Sequence, residues 1–439
     1  MAIASAASWL RLLVERSLAL DTHTTPHLAA SALAGAGLLA TGICSLRLAP
    51  RAHRLSWRAL IAWAVALQAL AALALPLTST DAYSALAQGA LQQAGLSAYR
   101  HGPAALGASP LLDLVPPRWR GVPSPYGPLF LQLMGAIFAV GERIAASPWG
   151  GLIAYKAVLL ASTLVALAIA AWHLRRGPEG REVFALLALG PLLPWEIVGQ
   201  GHNDGFVLLA TVGFLAAAAA GRDGLAAGAV AVGMAFKVVL APLLALHLLL
   251  VGRRSMARAA WVAAVALALL AAAYATGWRD FAQRGLAAAL GSEEARHAHS
   301  LADLACLVLE GLGRPAASRV AYRACSTASA LACGAALLWA ASRSRTLPQL
   351  GRGYLVLLLT LYLTAAWFQP WYVSWALPLL LVEPDPRWRR LLALFAVVTV
   401  VQWGLPLDPL TTVAGDAWVA WRAWRLLRDA RTVPVPALA

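Results

Sequence analysis

The sequence predicts an all-α polytopic integral membrane protein, and three observations carry that prediction. Of 439 residues, 60% are hydrophobic and 13% charged, with a mean hydropathy of +0.68, a balance foreign to ordinary soluble domains. Many apolar stretches reach the roughly 20 residues that cross a bilayer. The arginines gather in short clusters between those stretches, at Arg47/Arg51/Arg54/Arg58, Arg175/Arg176/Arg181, Arg253/Arg254/Arg258, Arg343/Arg345/Arg352, Arg387/Arg389/Arg390 and Arg425/Arg428/Arg431. Such loops are expected on the cytoplasmic side, so the net charge of +15 orients helices and calls for no nucleic acid.

Taken in order, residues 1–26 place Arg11, Glu15 and Arg16 inside an apolar stretch without a basic leader. That is a poor signal peptide, and an interfacial amphipathic helix over Ser8 to Leu20 is predicted instead. Residues 27–439 form a single transmembrane domain, and after the first crossings the chain enters a long outer loop over residues 78–149. Within that loop Gly127 to Ala145 is apolar enough to span, but a span there would put Arg175, Arg176 and Arg181 outside. It is expected to lie along the outer surface as a juxtamembrane helix, with residues 150–173 as the next crossing. Residues 224–251 run between two basic loops and must enter and return as two half-spans broken near Lys237. Broken helices are tolerated where protein or a water-filled cavity satisfies the freed backbone. The run Tyr354 to Leu381 makes a similar hairpin around Trp367-Phe368-Gln369-Pro370-Trp371. About 12 spans result, or 13 if Thr411 to Leu427 also crosses. Cys44, Cys306, Cys325 and Cys333 show no CxxC spacing and read as packing residues.

Two acidic motifs stand at the mouths of apolar segments: Ser79-Thr80-Asp81-Ala82-Tyr83 and Gly201-His202-Asn203-Asp204-Gly205. An aspartate at bilayer depth costs a few kcal/mol, so ionisable groups there are usually tied to a site. The arginine pattern puts both motifs on the outer face. Asp81 is either a partly desolvated general base with a raised pKa or a cap for the helix-prone Ala82 to Leu91. His202, Asn203 and Asp204 either cap the helix that starts near Gly205, bind a divalent cation, or orient a substrate. Asp81, His202 and Asp204 are the candidate metal ligands, for Mg²⁺ or Mn²⁺; too few ligands are present for zinc.

Among 35 basic residues only Lys156 and Lys237 are lysine, both inside apolar segments. Each could snorkel to the nearest interface. Converging with Arg100, Arg118 and Arg120 they would instead hold an anionic group, most naturally a lipid phosphate. The outer loop also carries Tyr99-Arg100-His101-Gly102-Pro103, Asp113 and Ser124-Pro125-Tyr126-Gly127-Pro128-Leu129. Loops this long in compact proteins are usually functional. Trp367, Gln369, Trp371, Tyr372 and Trp375 form an interfacial aromatic belt or a wall for a sugar or prenyl group.

Together these residues resemble the polyprenol-phosphomannose-dependent α-1,6-mannosyltransferases of bacteria, membrane glycosyltransferases of the GT-C fold class. The likeness rests on Ser79-Thr80-Asp81-Ala82-Tyr83-Ser84-Ala85-Leu86-Ala87-Gln88-Gly89, on Gly95-Leu96-Ser97-Ala98-Tyr99 with Gly102-Pro103, on Tyr126-Gly127-Pro128-Leu129-Phe130 and on Gly201-His202-Asn203-Asp204. Ala85 stands where the family motif often has tyrosine, and Ala98 where it often has proline. The resemblance implies a GT-C fold, a polyprenyl-phosphomannose donor, a glycan or glycolipid acceptor and Asp81 as catalytic base. It further implies an inverting displacement at the outer face of the cytoplasmic membrane. In that reading Tyr83, Tyr99, Arg100, Arg118, Arg120, Tyr126, Lys156, His202, Asn203, Asp204, Lys237, Gln369, Trp371 and Tyr372 bind substrate or phosphate. An arabinose or glucose donor is the nearest alternative, and a secondary transporter or lipid flippase the alternative of another class.

Overall fold

A computed structural model of the chain describes residues 25–76, 79–275, 277–285, 305–306, 308–310, 312–365, 369–404 and 409–430. The predicted N-terminal interfacial helix lies outside them. The described residues are helical, without a strand, in agreement with the all-α class.

Helices α1 (Thr25–Leu48) and α2 (Trp57–Ala72) flank a 3-10 turn, Ala49–Arg54, that carries part of the first arginine cluster. Ser56 starts α2 by accepting from the Ala59 N–H at 3.1 Å, which satisfies one of the donors a helix start leaves open. The loop that follows is itself helical. It holds α3 (Asp81–Gln93), two short helices over Pro110–Leu114 and Pro117–Arg120, and α4 (Pro128–Ile144). Then come α5 (Pro148–Leu174), α6 (Gly180–Ala188), a π-helical turn Leu193–Gly199, and α7 (Asp204–Ala219). Helix α8 (Asp223–Phe236) stops at Lys237, whose extended backbone (φ −152°, ψ 121°) is followed by a 3-10 turn and α9 (Ala241–Gly252). The break falls where the two basic loops required it. Beyond it lie α10 (Met256–Tyr274), α11 (Pro315–Arg343), α12 (Leu347–Thr364), α13 (Pro386–Gly404) and α14 (Pro409–Ala430). Between α12 and α13 the aromatic hairpin runs as two 3-10 turns, Pro370–Trp375 and Leu377–Leu381, each opened by a proline near its start.

The protein is a multi-pass membrane protein, and among the described residues full-length apolar helices alone do not account for the expected 12 or 13 crossings. Among the described residues four helices are long and apolar enough to span, and the pair Gly180–Ala188 and Leu193–Gly199, bent by 46°, makes a fifth. The chain uses shorter apolar helices instead, such as Asp204–Ala219 and the two halves around Lys237. Helix α4 is not among the spans. Its apolar side, with Phe130, Leu131, Met134 and Ile137, is buried, and Glu142 and Arg143 fall in its last turn.

Two apolar cores result. The larger holds Phe184, Trp195, Phe214, Tyr354, Trp388 and Phe395. The smaller joins the loop helices α3 and α4 to the first turns of α5 through Leu86, Leu91, Phe130, Met134, Tyr155 and Leu159. Leucine-sized side chains contribute about 1.5–3 kcal/mol each when fully buried, so the smaller core fastens the loop helices to α5. Cys306 is buried and Cys325 and Cys333 are half-buried, but Cys44 is exposed and is no packing residue.

Candidate active site

The two acidic motifs meet. Helix α3 begins at Asp81 itself; Ser79 Oγ accepts from the Asp81 N–H at 3.2 Å, the N-cap Thr80 makes no side-chain cap bond, and the aspartate side chain turns inward. Its carboxylate, 35% exposed, lies 3.5 Å from Nδ1 of His202, which is 1% exposed. On its other edge the same imidazole lies 3.5 Å from the carboxylate of the fully buried Glu196. The ring stacks on Trp371 with centroids 3.6 Å apart and planes 17° from parallel. What brings His202 here is Gly201. Its φ of +78° is open to glycine at little cost, and a Cβ would stand 2.9 Å from that of Ala82 on α3.

Charge within this row is self-consistent. Enclosure by protein pushes the Asp81 carboxyl up, but hydrogen bonding and charge from His202, with the Lys237 ammonium behind them, outweigh that and hold it below the usual carboxylate range. The raised pKa expected of a general base is thus reversed. For His202, burial disfavours the cation, yet the carboxylates of Asp81 and Glu196 overcome it and raise the imidazole above its ordinary value.

Asp204 forms the second half of the site. It is the first residue of α7, where the helix N-terminus favours negative charge. Asn203 makes no side-chain cap bond, and Asp204 Oδ1 accepts from Lys237 Nζ at 2.8 Å and from Trp375 Nε1. The capping role considered for these residues is therefore replaced by an ion pair. Lys237 also lies over three rings, Trp375 at 4.9 Å, Tyr372 at 5.0 Å and Tyr126 at 5.8 Å, an aromatic cage suited to a cation. Tyr126 is placed by Gly127, whose N–H donates to Phe236 O at 3.0 Å, just before the break; a Cβ there would meet Ala235 O at 2.2 Å. Tyr99 donates from its hydroxyl to Tyr126 O at 2.9 Å and supports the same corner.

Other expected residues are employed elsewhere. Lys156 donates to the carbonyls of Ala74 and Gly199, which ties the end of α2 and the π turn to α5. Arg100 makes a bidentate pair with Asp280, Nη2 to Oδ1 at 2.8 Å. Arg120 donates to Val115 O at 2.8 Å. The Arg118 side chain lies outside the described residues. Tyr83, Asn203 and Gln369 are buried; Tyr83 packs in the smaller core. The expected metal trio does not assemble. Among the described residues no three His, Cys, Asp or Glu groups could hold an ion, because Asp204 is turned to Lys237 and Trp375 rather than toward His202. Glu196 escaped the sequence reading, although it carried a usable signal, a lone acid in an apolar run.

An all-helical, multi-pass membrane protein with a charged site where a loop helix meets a bent span defines the class. Residues 2–253, more than half of the chain, match the family described as the alpha-(1->6)-mannopyranosyltransferase N-terminal domain, and the chain belongs to that family. An alpha-(1->6)-mannopyranosyltransferase of Mycobacterium tuberculosis is 38% identical over 136 residues, 30% of this chain and 22% of its own length. Alpha-(1->6)-mannopyranosyltransferase A of Corynebacterium glutamicum is 32% identical over 151 residues, 33% of this chain and 29% of the relative. Alpha-(1->6)-mannopyranosyltransferase A of M. tuberculosis is 28% identical over 355 residues, 74% of this chain. The chain thus spans 22%, 29% and 64% of the lengths of these relatives.

Proposed function

We propose that this chain is an inverting mannosyltransferase. It moves mannose from a polyprenyl-phosphomannose donor to a glycan or glycolipid acceptor at the extracytoplasmic face of the cytoplasmic membrane. The observation that carries the proposal is the partly open Asp81 carboxylate opposed by the buried His202, beside the caged Lys237. The family name and the names of the relatives agree with mannosyl transfer.

In this reading an acceptor hydroxyl binds against Asp81. Its oxygen forms a bond to the anomeric carbon while the bond from that carbon to the phosphate oxygen breaks, and polyprenyl phosphate leaves with the electron pair. The acceptor proton passes to Asp81. Because His202 holds the Asp81 carboxyl below its usual range, the carboxylate accepts a hydrogen bond from the acceptor and takes the proton late, once the hydroxyl has become acidic by bonding to carbon. Lys237 is the cation set nearest Asp81 in the cage and stabilises the departing phosphate. Trp371, Tyr372 and Tyr126 supply flat surfaces for a sugar ring.

The test is transfer of labelled mannose from polyprenyl-phosphomannose in membranes carrying the wild type or Asp81→Asn, with and without chelator. Label should reach product with the wild type only, the variant losing about 10²–10⁴-fold. Normal transfer by the variant sinks the base assignment. Product formed from an arabinose or glucose donor alone replaces mannose as the sugar.

A further inference from the structure

Glu196 is the least explained charge in the molecule. Its carboxylate is fully buried in the π turn, and neither oxygen finds a hydrogen-bond donor within normal distance. A buried carboxylate without compensation costs several kcal/mol, more than a bent apolar helix would carry for packing alone. The ion pair it makes among the described residues is to His202 Nε2 at 3.5 Å, the nitrogen opposite the one that faces Asp81. The row Glu196, His202, Asp81 is therefore continuous. Trp371 lies flat against one face of its middle member.

Resting on the mannosyl-transfer reading above, we propose that Glu196 is a positioning residue that acts on Asp81 through His202. The carboxylate holds the imidazole by Nε2, so that Nδ1 points at Asp81 and the ring keeps its proton. A cationic His202 then keeps Asp81 ionised and fixed toward the acceptor. Two carboxylates share one imidazolium here. Each lies at the edge of hydrogen-bond range, so a small shift of the ring tightens one contact as it loosens the other. The groups facing His202 are Asp81 from α3, Glu196 from the π turn and the Trp371 ring. The Asp204–Lys237 pair stands beyond them, near enough for Lys237 to act on Asp81. Within that set Glu196 has no partner other than the imidazole, so neutralising it acts on His202 first.

The experiment compares Glu196→Gln and Glu196→Asp in the full chain, in membranes, measuring kcat, acceptor KM and the pH dependence of kcat/KM. For Glu196→Gln, kcat should fall about 10- to 100-fold with acceptor KM little changed. The acidic limb should move to higher pH, because a neutral His202 no longer holds Asp81 down. Glu196→Asp should recover part of both. An unchanged kcat and limb in Glu196→Gln overturns the proposal. If that variant does not fold, the same comparison is read from Glu196→Asp, where an unchanged limb overturns it. A wild type inert with every donor removes the mannosyl-transfer reading instead. The thermal stabilities of Glu196→Gln, His202→Gln and the double variant then decide the pairing. Non-additive losses retain Glu196 as the group that holds His202, and additive losses overturn that too.

Discussion

Lys156 and Lys237 are the only lysines of the chain, each set in apolar sequence, and the protein uses them in opposite ways. Lys156 is 5% exposed and spends its donors on backbone carbonyls at two helix ends. Lys237 sits at a helix break, gives one donor to Asp204 and keeps an aromatic cage around the rest. One ammonium ties two backbone ends together; the other faces a carboxylate and three rings. Residue type and hydropathy are the same for both. What separates them is the backbone beside them, since an intact helix leaves Lys156 only the carbonyls of its neighbours, whereas the broken one delivers Lys237 to a carboxylate.

The largest expected effect is from Lys237→Met, which should lower turnover about 100-fold or more and also destabilise, because breaking a buried pair by removing one partner costs about 3–5 kcal/mol. Adding Asp204→Leu should restore much of the melting temperature without restoring turnover; recovery of turnover would show the pair to be structural only. Next, His202→Gln should move the acid limb of activity upward. Asp81 is held below its ordinary value, so its contribution to stability is present above that value and is lost as pH falls through the folded one; removing the imidazole shifts that loss to higher pH. A limb that stays in place would detach His202 from Asp81. For Lys156→Met the expected loss is in stability, about 1–3 kcal/mol for each of the two carbonyls left unsatisfied, with turnover per folded molecule and donor KM unchanged. A raised donor KM would return Lys156 to the phosphate site. Smallest of all, Arg100→Ala at the exposed Asp280 pair should leave melting and activity at the wild-type level.

Much of the site was legible because charge in apolar sequence is conspicuous. Asp81, His202, Asp204 and Lys237 all declared themselves in this way, and the arginine loops placed both acidic motifs on one face, which their contact bears out. Glu196 offered the same signal but lay five positions before a louder motif. The use of Lys156 was hidden, since carbonyls as partners leave no trace in side-chain identity. The direction of the Asp81 shift was hidden too; burial alone predicts a raised value, and only the distance to His202 reverses it. For the fold, class and the Lys237 break followed from composition and loop charge. The number of crossings did not, because hydropathy cannot tell a short apolar helix that ends at a site from one that traverses the bilayer.

The single hydrogen bond from Gly127 N–H to Phe236 O has a mechanical corollary. A broken helix ends in carbonyls that need donors, and here one donor comes from the loop that carries Tyr126. The Tyr126 loop and the helix break are therefore fastened to each other, so a substitution that displaces one is felt at Lys237, the residue next to Phe236.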